Sequence, residues 1–297
     1  MHGHPRDGNK TFDAALLAVE RANAIDKTLV VAPVFQVAAA DAGKCSTAGV
    51  PAALPGDLLW TCASWLQGGR ASNGNRPSSF AVLDALVAEL TQLWPSIRVV
   101  TIAGFSAGAQ MVQHAIGFAA DAPAGVALRY VVADPGTWLY FDAVRPLPVR
   151  GGQAADWSSC QGGAGFIGDC TLKLRAPDGA CARVNQWKYG TDSLPASLGR
   201  SAAEAKVRYA AADIRYLEAA LDSGDAHGTA YKVLDKSCAA NAQGPYRLQR
   251  GLGYALYDRS LLAPAKQREV TIVPGCAHDV SCVFPSPAAR AALLSAP

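Results

Sequence analysis

The feature that most constrains the fold is the segment around Ser106, where a strand pattern passes through a tight glycine turn into a helix pattern. Residues 97–103 are apolar and mostly β-branched, which is typical of a buried strand. The turn Gly104-Phe-Ser-Ala-Gly108 follows, and residues 107–120 lack proline and carry apolar side chains near helical spacing. Strand, G-x-S-x-G and helix together predict a nucleophile elbow, a strained turn that lifts a serine hydroxyl off the sheet. Side chains at positions 104 and 108 would strike the neighbouring strand and helix, which explains the two glycines.

Strand and helix patterns alternate along the rest of the chain. This alternation over 297 residues predicts a single α/β domain with a mostly parallel sheet flanked by helices. The other predicted strands are residues 28–35, 128–134, 213–221 and 268–274. The other predicted helices are residues 9–23, 80–94, 201–211, 239–262 and 287–294. Residues 36–76 are rich in Gly, Pro, Ser and Asn, which predicts a long loop.

The composition excludes two classes of partner. The net charge is +3, only 17% of the residues are charged and no run of Lys or Arg occurs, so no basic footprint for nucleic acid is expected. No apolar stretch approaches the length of a membrane span. Half of the residues are hydrophobic, which is enough for a sizeable core.

Eight cysteines, none of them in a C-x-x-C pair, favour an exported protein with disulfides. The pairs Cys45–Cys62 and Cys276–Cys282 are plausible because each encloses a short loop. Two further bridges are expected among the remaining four, whose pairing stays open: Cys160, Cys170, Cys181 and Cys238. We therefore expect a secreted or periplasmic protein, although the sequence carries no signal peptide.

A nucleophilic Ser106 needs a base within hydrogen-bond reach and a carboxylate that orients this base, because a serine hydroxyl is a poor nucleophile at neutral pH. His278 is the favoured base, since it follows the last predicted strand directly. His114 lies about two turns into the predicted helix and is expected to pack there. His227 lies in a loop and could approach the cleft, but no strand end positions it.

The orienting acid is less narrowly defined by the sequence. Asp222 is favoured because it closes the strand before the last one. Asp134, which ends the strand after the elbow, stays an alternative, as do Asp225 and Asp235 in the loop after Asp222. Asp213 opens its strand and so lies at the wrong end of the sheet. At each position a turn-forming or capping Asp is the non-catalytic interpretation.

Zinc binding is a competing interpretation for the segment around His278. Cys276, His278 and Cys282 offer two sulfurs and one nitrogen, which are ligands that zinc accepts. A fourth ligand is not evident, and a disulfide that braces the loop carrying the base is the simpler hypothesis.

The elbow, the late histidine and the chain order Ser, acid, His resemble the α/β-hydrolase superfamily. Met1-His2-Gly3-His4 resembles the His-Gly motif that in this superfamily follows the third strand and donates a backbone N–H to the oxyanion. The resemblance implies a triad of Ser106, Asp222 and His278. It also implies an oxyanion hole made by the N–H of Ala107 and of His4 or Gly3.

The same resemblance implies that the first three strands of the fold precede Met1. The chain would then be N-terminally incomplete. The third of these strands would lie between residues 28–35 and the strand that leads into Ser106. Expressed from Met1, such a chain is expected to be insoluble or inactive, because two strand edges inside the sheet would be unpaired.

Within the superfamily, the chain is similar to secreted, disulfide-bearing esterases of the polyhydroxyalkanoate depolymerase and feruloyl esterase kind. It departs from the depolymerase pattern at residues 104–110 and 2–6. The similarity implies hydrolysis of a small or polymeric carboxylic ester through an acyl-enzyme, with no metal or organic cofactor. A serine peptidase or amidase of the same fold, and a non-catalytic hydrolase-like module, are the alternatives.

Residues 135–198 are dominated by Gly, Pro, Trp and Cys and show no periodicity. Inserted after a central strand, such a segment would form a disulfide-rich cap over an α/β-hydrolase site. Its aromatic side chains would either line a substrate cleft or fill only the insertion's own small core, and the sequence leaves both open. They are Trp138, Tyr140, Phe141, Trp157, Trp187 and Tyr189.

Overall fold

The elbow sits on a four-stranded parallel sheet whose strands, in spatial order, are Val99–Phe105, Ala127–Ala133, Asp213–Ala219 and Val270–Val273. The computed structural model describes residues 1–162, 166–177, 179 and 181–295. Its strands are β1 Gln36–Val37, β2 Leu59–Trp60, β3 Val99–Phe105, β4 Ala127–Ala133, β5 Arg145–Arg150, β6 Gln153–Ala154, β7 Thr171–Arg175, β8 Asp213–Ala219 and β9 Val270–Val273. Short strands β1 and β2 pair in parallel, apart from the main sheet.

Helices cover both faces of this sheet, as the alternating pattern predicts. They are α1 Gly8–Arg21, α2 Ala39–Cys45, α3 Ser79–Leu93, α4 Ala107–Ala115, α5 Ala202–Ala211, α6 Cys238–Asn241, α7 Arg247–Tyr257, α8 Val280–Val283 and α9 Pro287–Leu294. Serine side chains cap α3, α5 and α9 at their N-termini, at Ser78, Ser201 and Ser286. No helix within the described ranges is both long and apolar enough to cross a membrane.

Two hydrophobic cores hold the layers together. On one face, Ala14 and Ala18 of α1 pack with Phe105, Val131 and Leu217 of the sheet and with α8 and α9. On the other face, α3, α4 and α7 pack with the opposite side chains of the same strands. Alternate residues of the strands therefore face different cores, as the pleat of a strand requires.

Residues 135–198 contain a second sheet, which the sequence analysis did not predict. Strands β6, β5 and β7 pair antiparallel in this order. Pro146 and Pro148 lie in β5, and such prolines disguise a strand in sequence because they are rare in sheet interiors.

The aromatic side chains at the start of the insertion fill the core. Trp138 and Tyr140 are fully buried, and Phe141 is 8% exposed. Trp138 stacks on Tyr254 of α7 with ring centroids 4.4 Å apart. Neither hypothesis holds for these three side chains, because they pack in the main core against the sheet and α7 and not in a separate core of the insertion. That the insertion caps the site stays a prediction.

Residues 28–35 do not form the predicted strand. They pair with no strand of the described residues, and the side chains of Leu29 and Val31 are about half exposed. A cleft of about 560 Å³ lies between residues 28–33 and β3, and side chains of α1 and α3 also line it. The prediction is wrong because a strand needs a neighbour to pair with, and the cleft lies where that neighbour would be.

At one end of this cleft, Met1 extends beside β3. The Phe105 N–H donates to the Met1 carbonyl at 3.3 Å, and the Met1 amino group donates to the Ala103 carbonyl.

The helix predicted at 239–262 is divided in two. Helix α6 ends at Asn241 and α7 begins at Arg247. Gly244, with φ +135°, and Pro245 lie between them. Proline interrupts the helix because it cannot donate the hydrogen bond that a continuous helix needs. The interruption matters for the site because it creates the N-terminus of α7.

All eight cysteines are paired. The structure confirms Cys45–Cys62 and Cys276–Cys282. The four cysteines whose pairing the sequence leaves open form Cys160–Cys170 and Cys181–Cys238. The last bridge joins Cys181 of the insertion to Cys238, the first residue of α6, which lies 57 positions later in the chain.

Candidate active site

Ser106 sits in a strained turn between β3 and α4. Its φ of 57° and ψ of −118° place a non-glycine residue in a rarely occupied region. A Cβ on Gly104 would lie 2.3 Å from the Gly108 carbonyl oxygen, and one on Gly108 would lie 2.4 Å from the Met1 carbonyl oxygen. The turn thus requires both glycines. The sequence predicted that a side chain at position 108 would strike a neighbouring strand or helix, whereas it would meet the backbone of residues 1–2.

The structure brings the three predicted triad residues together. The Oγ of Ser106 lies 2.8 Å from His278 Nε2, and His278 Nδ1 lies 2.7 Å from Asp222 Oδ2. Ser106 is half-buried, whereas the side chains of His278 and Asp222 are 7% and 2% exposed. A half-exposed hydroxyl therefore contacts a buried imidazole, which in turn contacts a buried carboxylate.

His278 is fixed by the loop that follows β9. Its backbone N–H donates to the Gly228 carbonyl at 3.0 Å, and the disulfide Cys276–Cys282 closes the loop around it. The imidazole also packs on Phe105, with ring centroids 4.7 Å apart. The backbone hydrogen bond, the disulfide and the contact with Phe105 together hold the imidazole beside the elbow.

Asp222 is fixed in the turn after β8. Its backbone carbonyl accepts from the Leu248 N–H at 3.3 Å, in the first turn of α7. Its Oδ1 faces the buried guanidinium of Arg247, with Nη1 at 3.3 Å. Sequence reasoning did not identify Arg247, because no motif links an arginine at a helix start to an acid 25 residues earlier.

Two further carboxyls, Asp134 and Glu218, are fully buried behind Asp222. Asp134 Oδ1 accepts from the Ala219 N–H at 2.7 Å. Burial, followed by the negative charge of Asp222, raises the pKa of Asp134 to about 7. Burial also raises the pKa of Glu218 well above its usual range. Asp134 Oδ2 and both carboxyl oxygens of Glu218 are buried without a hydrogen-bond partner among the described residues, so burial favours the protonated form of these carboxyls.

Burial lowers the pKa of His278 below its ordinary value and the charge of Arg247 lowers it further, whereas the hydrogen bond that His278 donates to Asp222 opposes this shift. The imidazole is therefore neutral at neutral pH. With Nδ1–H donating to Asp222, its Nε2 is free to accept the Ser106 proton.

The other candidate residues lie away from this arrangement. Asp235 accepts a hydrogen bond from the Tyr189 hydroxyl at 2.6 Å, and Asp225 and His227 are exposed. Asp213 pairs with Arg129 at 3.0 Å. His114 is fully buried on α4, with Nδ1 2.6 Å from the Gln110 carbonyl oxygen, as expected of a packed histidine.

Metal binding is not favoured by the chemistry of these groups. Cys276 and Cys282 are joined in a disulfide, so they offer no thiolates and the zinc interpretation is wrong. Single ligand atoms of Asp134, Asp222 and His278 do lie within 4.8 Å of one another. However, Asp222 and His278 already bond to each other, and Arg247 neutralises the carboxylate.

The residues predicted for the oxyanion hole lie next to Ser106. A Cβ on Gly3 would lie 3.8 Å from the Ser106 Cβ, and Ala107 is the first residue of α4. The Gly3 carbonyl accepts from the Arg6 N–H at 3.0 Å, which closes a turn that places His4 at the surface. His2 is buried, and its Nε2 accepts from the Phe35 N–H at 3.2 Å, which anchors this turn.

No protein-family model matches the chain. No curated protein sequence matches it. Among solved structures, it is similar to the poly(3-hydroxybutyrate) depolymerase LpqC from Bordetella parapertussis. The TM-score is 0.57 at 19% identity, over 94% of this chain and 72% of that one. Poly(aspartic acid) hydrolase-1 from Sphingomonas sp. KT-1 gives a TM-score of 0.47 at 17% identity, over 74% of this chain and 66% of that one. At these identities the likeness concerns the fold alone.

Proposed function

We propose that the protein is a serine hydrolase of the α/β-hydrolase fold that cleaves carboxylic esters. The observation that carries this proposal is the continuous hydrogen-bonded chain from Ser106 Oγ through His278 to Asp222, built on a strained elbow. The fold likeness to a poly(3-hydroxybutyrate) depolymerase supports an ester as substrate. The four disulfides support function in an oxidising compartment, secreted or periplasmic.

In the proposed reaction, Ser106 Oγ attacks the ester carbonyl carbon while His278 Nε2 takes the hydroxyl proton. Asp222 stabilises the imidazolium that forms. The backbone N–H of Ala107, at the start of α4, and that of Gly3 or His4 would stabilise the oxyanion.

Collapse of the tetrahedral intermediate breaks the ester C–O bond, and His278 returns its proton to the departing alcohol. Water then attacks the acyl-Ser106, again with His278 as base. The carboxylic acid leaves and the Ser106 hydroxyl is restored.

A fluorophosphonate probe tests the proposal, because it labels a serine only when a neighbouring base activates it. We expect stoichiometric labelling that mass spectrometry places on Ser106, and no labelling of Ser106→Ala. Folded wild-type protein that resists the probe would favour the non-catalytic alternative. Parallel assays with nitrophenyl esters and nitroanilides then separate an esterase from an amidase.

A further inference from the structure

The acid of the proposed triad is held by more than its own turn. Arg247 Nη1 lies 3.3 Å from Asp222 Oδ1, while Oδ2 of the same carboxylate faces His278 Nδ1 at 2.7 Å. The side chains of Arg247 and Asp222 are 4% and 2% exposed. Each carboxylate oxygen thus has its own partner, which fixes the direction in which Asp222 faces the imidazole.

The same guanidinium also reaches the loop that anchors the base. Arg247 Nη1 donates to the Thr229 carbonyl at 2.8 Å. The preceding residue, Gly228, accepts the backbone N–H of His278 at 3.0 Å. Arg247 therefore connects the side chain of the acid with the backbone support of the base.

The carboxyl groups around Asp222 favour a cation beside it. Asp222 and Asp279 face His278, and Asp279 is paired with Lys10 of α1 at 2.9 Å. Behind Asp222 lie the carboxyls of Asp134 and Glu218. Without Arg247, the Asp222 carboxylate would be a buried charge that lies among further carboxyls and has lost its guanidinium partner, which is energetically costly.

We infer that Arg247 is a positioning residue of the proposed hydrolysis: it holds the Asp222 carboxylate aimed at His278 and braces the loop that supports His278. This inference rests on the proposed function. Arg247 acts through Asp222 and is not a catalytic residue.

The test compares two substitutions in the full chain, assayed with para-nitrophenyl acetate. Arg247→Met removes the charge and both hydrogen bonds, so we expect kcat to fall about 10- to 100-fold with little change in KM. We also expect the acid half-point of kcat/KM to move to higher pH, because the charge of Arg247 lowers the pKa of His278 and the substitution removes this charge. Arg247→Lys keeps the charge and should retain the wild-type half-point at a reduced kcat.

Arg268→Met is the matched control. Arg268 is also a buried arginine paired with a buried aspartate, Asp258, at 3.0 Å, and it also donates to backbone carbonyls. Its loss should lower the melting temperature and leave the acid half-point unchanged. A low-field proton resonance of the His278–Asp222 hydrogen bond, expected in wild type, should weaken in Arg247→Met and persist in Arg268→Met.

The outcomes separate the two claims. Wild-type protein that a fluorophosphonate does not label at Ser106 overturns the proposed function and this inference with it. A labelled wild type together with a folded Arg247→Met variant of unchanged kcat and half-point overturns the inference alone. If Arg247→Met does not fold, a wild-type kcat and an unchanged low-field resonance in Arg247→Lys overturn it instead.

Discussion

At the residue scale, Ser106 combines backbone strain with a nearby base. A non-glycine residue at φ 57° and ψ −118° costs on the order of 1–3 kcal/mol. The surrounding turn maintains this conformation through Gly104 and Gly108, where any side chain would meet backbone atoms. The strain aims the hydroxyl at His278 Nε2, 2.8 Å away.

Replacement of Asp222 and replacement of Asp134 should have very different effects. Asp222→Asn presents the wrong group to His278 Nδ1, so we expect kcat for ester hydrolysis to fall by about 10⁴-fold. Asp134→Asn should cost much less. The pKa of Asp134 is about 7, so the neutral amide resembles its protonated form, and Asn tolerates the φ of 51°. Steady-state kinetics near pH 6.5 decide, and the reverse ranking would make Asp134 the acid.

The pH profile should report the environment of His278. The imidazole must be neutral to accept the Ser106 proton, and burial lowers its pKa below the ordinary 6.5. A lowered pKa keeps the base neutral in more acidic solution, so the acid half-point of kcat/KM should lie below 6.5. A half-point well above this value would contradict the described environment.

The sequence predicted Ser106, Asp222 and His278 because each follows a strand end in the expected chain order. It did not predict Arg247 or Glu218. Arginine at the first turn of a helix and glutamate within a strand are common surface residues, and only packing at the end of the sheet brings them to Asp222.

At the element scale, β3 has different neighbours on its two edges. Ser106 N–H donates to Ala133 in the direction of β4, whereas Phe105 N–H donates to Met1 on the other side. Odd-numbered amides of β3 therefore face the cleft of about 560 Å³, and no described strand other than β4 pairs with β3.

Hydrogen exchange should show this asymmetry. We expect the Thr101 amide, which faces the cleft, to exchange much faster than the Ile102 amide, which faces β4. The Phe105 amide, bonded to Met1, serves as the internal control on the same edge. Equal protection of Thr101 and Ile102 would mean that another segment pairs with this edge.

Elements with a strong local signal were predictable from sequence. Helix α9, at Pro287–Leu294, coincides with its prediction, since Ser286 caps it and proline occupies its first turn. Strand β5 escaped prediction because of its prolines, and residues 28–35 were wrongly assigned because strand pairing depends on a distant partner. Local sequence patterns indicate where helices form better than they indicate which strands pair.

At the scale of the whole molecule, the four disulfides all lie outside the main sheet. They fix the loop after β1, the insertion, the junction of the insertion with α6, and the loop of His278. Cysteine count predicted bridges, and short loops predicted two pairs, but Cys181–Cys238 depends on the packing of the insertion and was not deducible.

Thiol titration of the exported protein, denatured without reductant, should find no free thiols among the eight cysteines. Peptide mapping should recover a crosslink between Cys276 and Cys282 around His278. The same protein after reduction is the control and should titrate fully. Mostly free thiols in the unreduced sample would contradict function in an oxidising compartment.

The measurement that tests the central claim most directly is the hydrolysis of para-nitrophenyl acetate by wild type, Ser106→Ala and His278→Ala. The account predicts steady turnover by wild type and a loss of several orders of magnitude in kcat in each variant, with cooperative unfolding retained. Near-normal turnover by either variant would contradict the assignment of Ser106 as nucleophile or His278 as base.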